Sequence, residues 1–168
     1  PGQLTAGSII LEGTGGINLT NNVTLNGGLL ELAASSGSIT QSGGQISAPG
    51  GMQTLFSAAG VNVNLSAAGN DFGEILGATG SLTLVDQNSI TVSSIGGGIS
   101  SNAGNISLTA TGTGALTLNG TASLRAAVAW RMNWRAHVAP ARWSDWVNDS
   151  NRARCLNSVS FMSDRSSR

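Results

Sequence analysis

Short runs of alternating apolar and polar residues fill the first 124 of the 168 residues. Residues 61–65 (Val-Asn-Val-Asn-Leu) and 81–84 (Ser-Leu-Thr-Leu) are typical, and such runs begin every six to eleven residues. A period of two places the aliphatic side chains on one face and Thr, Ser and Asn on the other. The runs are too short for helices and rich in β-branched residues, so they predict a series of short β-strands.

The strands belong to a degenerate internal repeat. Many runs begin with glycine, a small polar residue and then an aliphatic residue, as at 7–9, 37–39, 80–82 and 104–106. Two or three such strands would form one coil of roughly 20 residues, which is the size of a solenoid repeat. On this count the segment holds about six coils, and at ~4.8 Å each they would form a rod of roughly 30 Å.

The composition favours a parallel β-helix, in which every strand pairs with the coils before and after it. A narrow interior accepts Ile, Leu, Val and Ala, and the only aromatic residues before position 125 are Phe56 and Phe72. Glycine and asparagine suit the corners because they tolerate positive φ. An antiparallel sandwich is the alternative, since Asn26-Gly27 is typical of a hairpin turn.

Composition changes abruptly after residue 124, which predicts a solenoid over 1–124 and a distinct Arg/Trp-rich tail over 125–168. Residues 1–124 contain five carboxylates (Glu12, Glu31, Asp71, Glu74 and Asp86) and no Lys or Arg, giving a charge of −5. The tail contains eight Arg against three Asp, giving 8 − 3 = +5, and no glycine. A body without a base has no Coulombic reason to bind nucleic acid.

The tail has three interpretations. Ala126, Trp130, Trp134 and Val138 recur every four residues, which predicts one face of a helix ending before Pro140. Such a helix could cap the open end of the solenoid or touch a membrane. A tail translated out of frame is the favoured interpretation, because it explains the loss of glycine and the sudden Arg and Trp together. The chain begins within the repeat and without methionine, so we expect an internal fragment of a larger protein.

Residues 68–73 (Ala-Gly-Asn-Asp-Phe-Gly) and 80–92 carry a likeness to a known family, as do 104–109 and 114–120. They resemble the repeats of filamentous-haemagglutinin-like surface proteins of Gram-negative bacteria. This resemblance implies a right-handed parallel β-helix exported by a two-partner or autotransporter route through an outer-membrane transporter. It also implies an extracellular fibre for adhesion, aggregation or biofilm formation, whose partner is a protein or glycan on a host or neighbouring cell.

The sequence offers little that predicts catalysis, and we expect a non-catalytic segment without cofactor or metal. Gly69, Asn70, Asp71, Phe72 and Gly73 are interpreted as a structural turn motif, with the Asn70 amide bonding the corner backbone. Asp71 and Glu74 are expected to share one turn rather than to form a site. His137 and Cys155 each stand alone in the sequence. The alternative function is a fragment of a carbohydrate-active β-helix enzyme whose catalytic coils lie outside this chain.

Overall fold

The computed structural model of this chain describes residues 2–111, 113–126 and 130–134. These ranges contain fourteen strands, and the pairings among them are all parallel. In chain order they are β1 (Leu4–Ala6), β2 (Ile9–Gly13), β3 (Ile17–Leu19), β4 (Val23–Leu25), β5 (Leu29–Ala34), β6 (Ser38–Gln41), β7 (Ile46–Leu65), β8 (Asp71–Asp86), β9 (Ile90–Val92), β10 (Gly98–Ser101), β11 (Ile106–Ala110), β12 (Leu116–Leu118), β13 (Ser123–Ala126) and β14 (Trp130–Trp134). A single turn of 3₁₀-helix, Ile95–Gly97, precedes β10.

The strands stack as a solenoid with three sides, which confirms the predicted β-helix. Side A contains β1, β4, β9, β12 and residues 46–48 and 71–75. Side B contains β2, β5, β10, β13 and residues 53–58 and 74–79. Side C contains β3, β6, β11, β14 and residues 62–65 and 81–86. Residues 74 and 75 pair with side B of the preceding coil and with side A of the following one.

Side C shows the coil count directly. The strand register aligns Ile17, Ile39, Val63, Leu82, Ile106 and Trp130, one residue for each coil. The steps between them are 22, 24, 19, 24 and 24 residues, so the described ranges form six coils, as predicted. The right-handed turn of the coils stays an expectation of the resemblance.

Aliphatic side chains fill the slender interior. Leu30, Leu32, Ile39, Leu82 and Leu84 are fully buried, each at an alternate position of its strand. Both phenylalanines of the body, Phe56 and Phe72, are 1% exposed and lie in the same core. Because each coil packs mainly on its two neighbours, this narrow core can extend along the stack without growing wider.

The hairpin turn that supported the alternative sandwich and the helix predicted in the tail both differ from the structure. Asn26-Gly27 lies between the parallel strands β4 and β5, so it turns a corner of the solenoid and does not close a hairpin. The helix predicted from Ala126 to Val138 is wrong where the structure describes it, because Ala126 ends β13 and Trp130–Trp134 forms β14, paired with β11. The remaining tail positions, including His137, Val138 and Cys155, lie outside the described residues.

Candidate functional site

The Gly69–Gly73 motif begins at the corner between sides C and A, where the chain passes from coil 3 to coil 4, and ends where side A turns toward side B. Gly69 belongs to a turn, Asn70 follows it, and Asp71, Phe72 and Gly73 begin β8. The turn is therefore shorter than the predicted motif. Asp71 and Glu74 both lie within β8, and not in one turn as expected.

Asn70 is fully buried, and its side chain joins three segments of the chain. Its Oδ1 accepts hydrogen bonds from the backbone N–H of Ile46 and from Nε2 of Gln41, both at 2.9 Å. Its Nδ2 donates to Oε1 of Gln41 at 2.8 Å and to the Leu65 carbonyl at 3.2 Å. The two amides thus bond reciprocally, and Asn70 occupies every polar position that its side chain offers.

Asp86 lies at the corresponding corner between sides C and A one coil later, at the end of β8. Its side chain is fully buried, and its carboxylate accepts hydrogen bonds from the backbone N–H groups of Phe72 (2.5 Å) and Asn88 (2.6 Å). Burial raises the pKa of this carboxyl, and the nearby Asp71 raises it further, whereas the two backbone N–H groups act in the opposite direction. The Asn70 carbonyl accepts from the N–H of Gln87 at 2.8 Å, so Asn70 and Asp86 form one connected polar corner.

Gly73 is required by close approach of the backbone rather than by its dihedral angles. A Cβ at this position would lie 2.7 Å from the Met52 carbonyl oxygen and closer still to that of Gly50. A Cβ at Gly69 would instead meet the flexible end of the Gln45 side chain. The two glycines that flank the motif therefore differ in how much substitution they tolerate.

Sequence reasoning identified Asn70 but missed Gln41 and Asp86. The signal was present in the alternation, because Asp86 continues the inward series of Leu82 and Leu84, and Gln41 follows Ile39 by two residues. A polar residue at an inward position of such a run indicates a buried hydrogen-bonding role.

The other carboxylates are dispersed, and two of them accept hydrogen bonds from neutral groups. Glu74 accepts hydrogen bonds from Gln53 (3.4 Å) and from Asn119 (3.0 Å), while Glu31 accepts from the Ser57 hydroxyl at 2.6 Å. Among the residues that the structure describes, no three His, Cys, Asp or Glu side chains lie close enough to hold a metal ion. The contacts of Gln53 and Ser57 join neighbouring coils, and that of Asn119 joins coil 6 to coil 4, so the arrangement serves cohesion of the stack.

An open groove of about 1040 Å³ runs where side B meets side C on the first four coils. Glu12 lies in it, and the rest of its lining is glycine, alanine, serine and threonine of residues 13–16, 33–35, 57–59 and 78. The groove does not coincide with the Asn70 corner. It lacks the convergent polar groups and apolar walls that mark a small-molecule site.

Comparison with known proteins adds a repeat family. Residues 6–79, which run from coil 1 into coil 4, are similar to a family described as repeats of unknown function (DUF5649). No curated protein and no solved structure matches the chain. Within the described ranges, no helix is long and apolar enough to cross a membrane.

Proposed function

We propose that this chain is a structural and adhesive segment of a secreted bacterial surface fibre of the filamentous-haemagglutinin-like kind. Its work is mechanical: it presents a long repetitive surface and holds a binding region away from the cell. The partner of the parent fibre is a protein or glycan of a host or neighbouring cell, and an outer-membrane transporter handles the fibre during export. The segment itself carries out no catalysis and binds no cofactor.

The observation that carries this proposal is the parallel pairing that continues through six coils, with register shifts at the corners between Ala48 and Gln53 and between Ala58 and Asn62. Each strand of coils 2 to 5 pairs on both edges, and the aliphatic file from Ile17 to Ile106 is continuous. Six coils at ~4.8 Å give a rod of roughly 29 Å, and further coils of the same kind lengthen it without changing its width. Such an object suits extension and display better than enclosure of a substrate.

The hydrogen bonds of the Asn70 corner suit the same work. They run between coils, from Gln41 through Asn70 to the backbone N–H of Gln87, which follows Asp86. A rod in which each coil stacks on the previous one can also form progressively as the chain emerges from a transporter, because its contacts are between nearest neighbours.

The location can be tested by inserting an epitope tag between Gly50 and Gly51 of the parent protein. Both glycines are exposed, and a Cβ at either would meet nothing within 4 Å. We expect an antibody to label the tag on intact cells and external protease to remove it. The same tag inserted after Val63, whose side chain is 1% exposed in side C, is the control that should abolish folding and display.

Adhesion is tested in the same cells by deleting coils 2 to 5 in frame. Loss of adhesion or aggregation, with the remaining fibre still displayed, supports the proposal. A Gly50 tag that is labelled only after cell lysis overturns it. Cleavage of an acidic polysaccharide by the parent protein would instead support the alternative, a fragment of a carbohydrate-active enzyme.

A further inference from the structure

The outer face of side B carries a file of six residues, one from each coil, placed directly above one another by the strand register. From coil 1 to coil 6 the file is Glu12, Ala33, Ser57, Ala78, Ser100 and Arg125. The two charged residues at its ends are exposed. Five steps of ~4.8 Å separate them by roughly 24 Å. The file therefore has a negative end, a positive end and only small side chains between them.

The charges of this file match those of a second copy whose file runs in the opposite direction. If a second copy faces side B with its coils running the opposite way, Glu12 lies opposite Arg125, Ala33 opposite Ser100 and Ser57 opposite Ala78. A two-fold axis along the strand direction, between coils 3 and 4, generates all six of these pairs. The contact is thus isologous and closes at two copies.

Charge selects this orientation over its opposite. A second copy running in the same direction would place Glu12 opposite Glu12 and Arg125 opposite Arg125, with repulsion at both ends. The antiparallel copy replaces both repulsions by attractions. Exposed ion pairs are individually weak, so they act here mainly by choosing register and direction.

The neighbouring positions on side B add apolar area to the face. Ile10 is 60% exposed and Leu55 is half-buried, and both lie two residues before the members of the file in their strands. In the antiparallel arrangement Leu55 lies opposite Leu76 of the second copy, next to the two-fold axis; Leu76 is only 7% exposed, so Ile10 and Leu55 supply most of the apolar area. The short side chains of the file allow two sheets to approach at the usual ~10 Å.

We propose that side B is a self-association surface on which a second copy of this chain docks antiparallel, with Glu12 of each copy facing Arg125 of the other. The inference rests on strand register and charge, and it does not depend on the proposed function. A displayed fibre could use such a contact, but a chain of any other function with this register would present the same face.

Charge reversal tests the contact in the full chain by sedimentation velocity at low ionic strength. Glu12→Arg and Arg125→Glu each place like charges at both ends. Each should therefore raise the dissociation constant of the dimer roughly tenfold or more. The double reversal restores opposite charges at both ends and should return the dissociation constant to within about threefold of the original. Added salt should weaken the original dimer and the doubly reversed dimer alike.

Asn64→Arg is the matched control, because Asn64 is exposed on side C and does not lie on the proposed contact. It should leave the dissociation constant unchanged, and circular dichroism should give the same strand signal for all variants. A wild-type chain that is monomeric at every concentration overturns the proposal. So does a double reversal that associates no better than the single variants, or an Asn64→Arg chain that is weakened equally.

Discussion

The corner between sides C and A differs from the corner between sides A and B in how the backbone is held. Between C and A, the half-buried side chain of Gln41 and the buried side chains of Asn70 and Asp86 bond the nearby backbone. Between A and B, the chain at Gly50 and at Ile95–Gly97 is exposed, and glycines there adopt positive φ, as Gly50 does at 66°. Polar side chains in the interior therefore stabilise one corner, whereas the other needs only the backbone freedom of glycine.

The largest expected effect comes from removing the amide at the buried corner. Asn70→Ala leaves the N–H of Ile46 without its side-chain acceptor and removes one partner each from the Leu65 carbonyl and from Oε1 and Nε2 of Gln41. Each unsatisfied buried group costs about 1–3 kcal/mol, so we expect a loss of about 3 kcal/mol or more in the free energy of unfolding. Urea denaturation followed by circular dichroism measures this loss.

Asn26→Ala is the control on the corner between A and B. Asn26 is exposed, and its substitution should change the free energy of unfolding by no more than about 0.5 kcal/mol. Equal losses at Asn70 and Asn26 would mean that the two corners do not differ in the way described.

The next effect concerns coil 4, which passes the corner between A and B with Gly73 instead of an exposed loop. Gly73→Ala forces a Cβ against the backbone carbonyls of Gly50 and Met52, neither of which can move as a side chain could. Overpacking of this kind should cost about 1–3 kcal/mol. Gly51→Ala at the same corner of coil 3 adds a Cβ in open space and should be neutral within about 0.5 kcal/mol. Urea titrations of the two variants measure this difference. Equal shifts of the two urea midpoints would contradict the role given to Gly73.

Sequence alone predicted the strands and the inward residues, because alternation fixes which side of a strand is buried. It also predicted that the Asn70 amide would bond the corner backbone. It could not find the partner Gln41, which lies 29 residues away. Coil steps vary from 19 to 24 residues on side C alone, so register cannot be counted from a period.

The error in the tail has a different physical origin. Ala126, Trp130 and Trp134 are four residues apart, which fits a helical face but is also a multiple of the two-residue repeat of a strand. The pattern by itself does not separate the two, and pairing with β11 provides the strand. Whether the chain after residue 124 is read out of frame stays a prediction, which reading the same DNA in the other frames would test.

A change of smaller size, and in the direction of greater stability, is expected inside the core, away from both corners. The Thr54 hydroxyl is fully buried and has no hydrogen-bond partner. Thr54→Val keeps the shape and removes the unsatisfied group, so the free energy of unfolding should rise by about 1 kcal/mol. Thr79→Val is the matched control, because the buried Thr79 hydroxyl donates to the Ser100 carbonyl at 3.5 Å. A destabilised Thr54→Val chain, measured by thermal unfolding, would show that the hydroxyl has a partner in solution.

The smallest expected effect is on the pH dependence of the free energy of unfolding, because burial and hydrogen bonding act in opposite directions on the pKa of Asp86. Burial raises its pKa above the usual 3.8, while the N–H groups of Phe72 and Asn88 partly offset the rise. With the folded pKa above the unfolded one, the native state binds more protons between the two values. The free energy of unfolding must therefore fall as pH rises from about 4 through the folded pKa of Asp86. Asp86→Asn should remove that part of the slope in urea midpoints measured across this window, whereas Glu12→Gln at an exposed position should leave it. If the slope of stability against pH is the same in Asp86→Asn as in the original chain, the two backbone N–H groups cancel the effect of burial. The carboxylate at the corner between C and A would then be as ionised in the folded chain as it is in water.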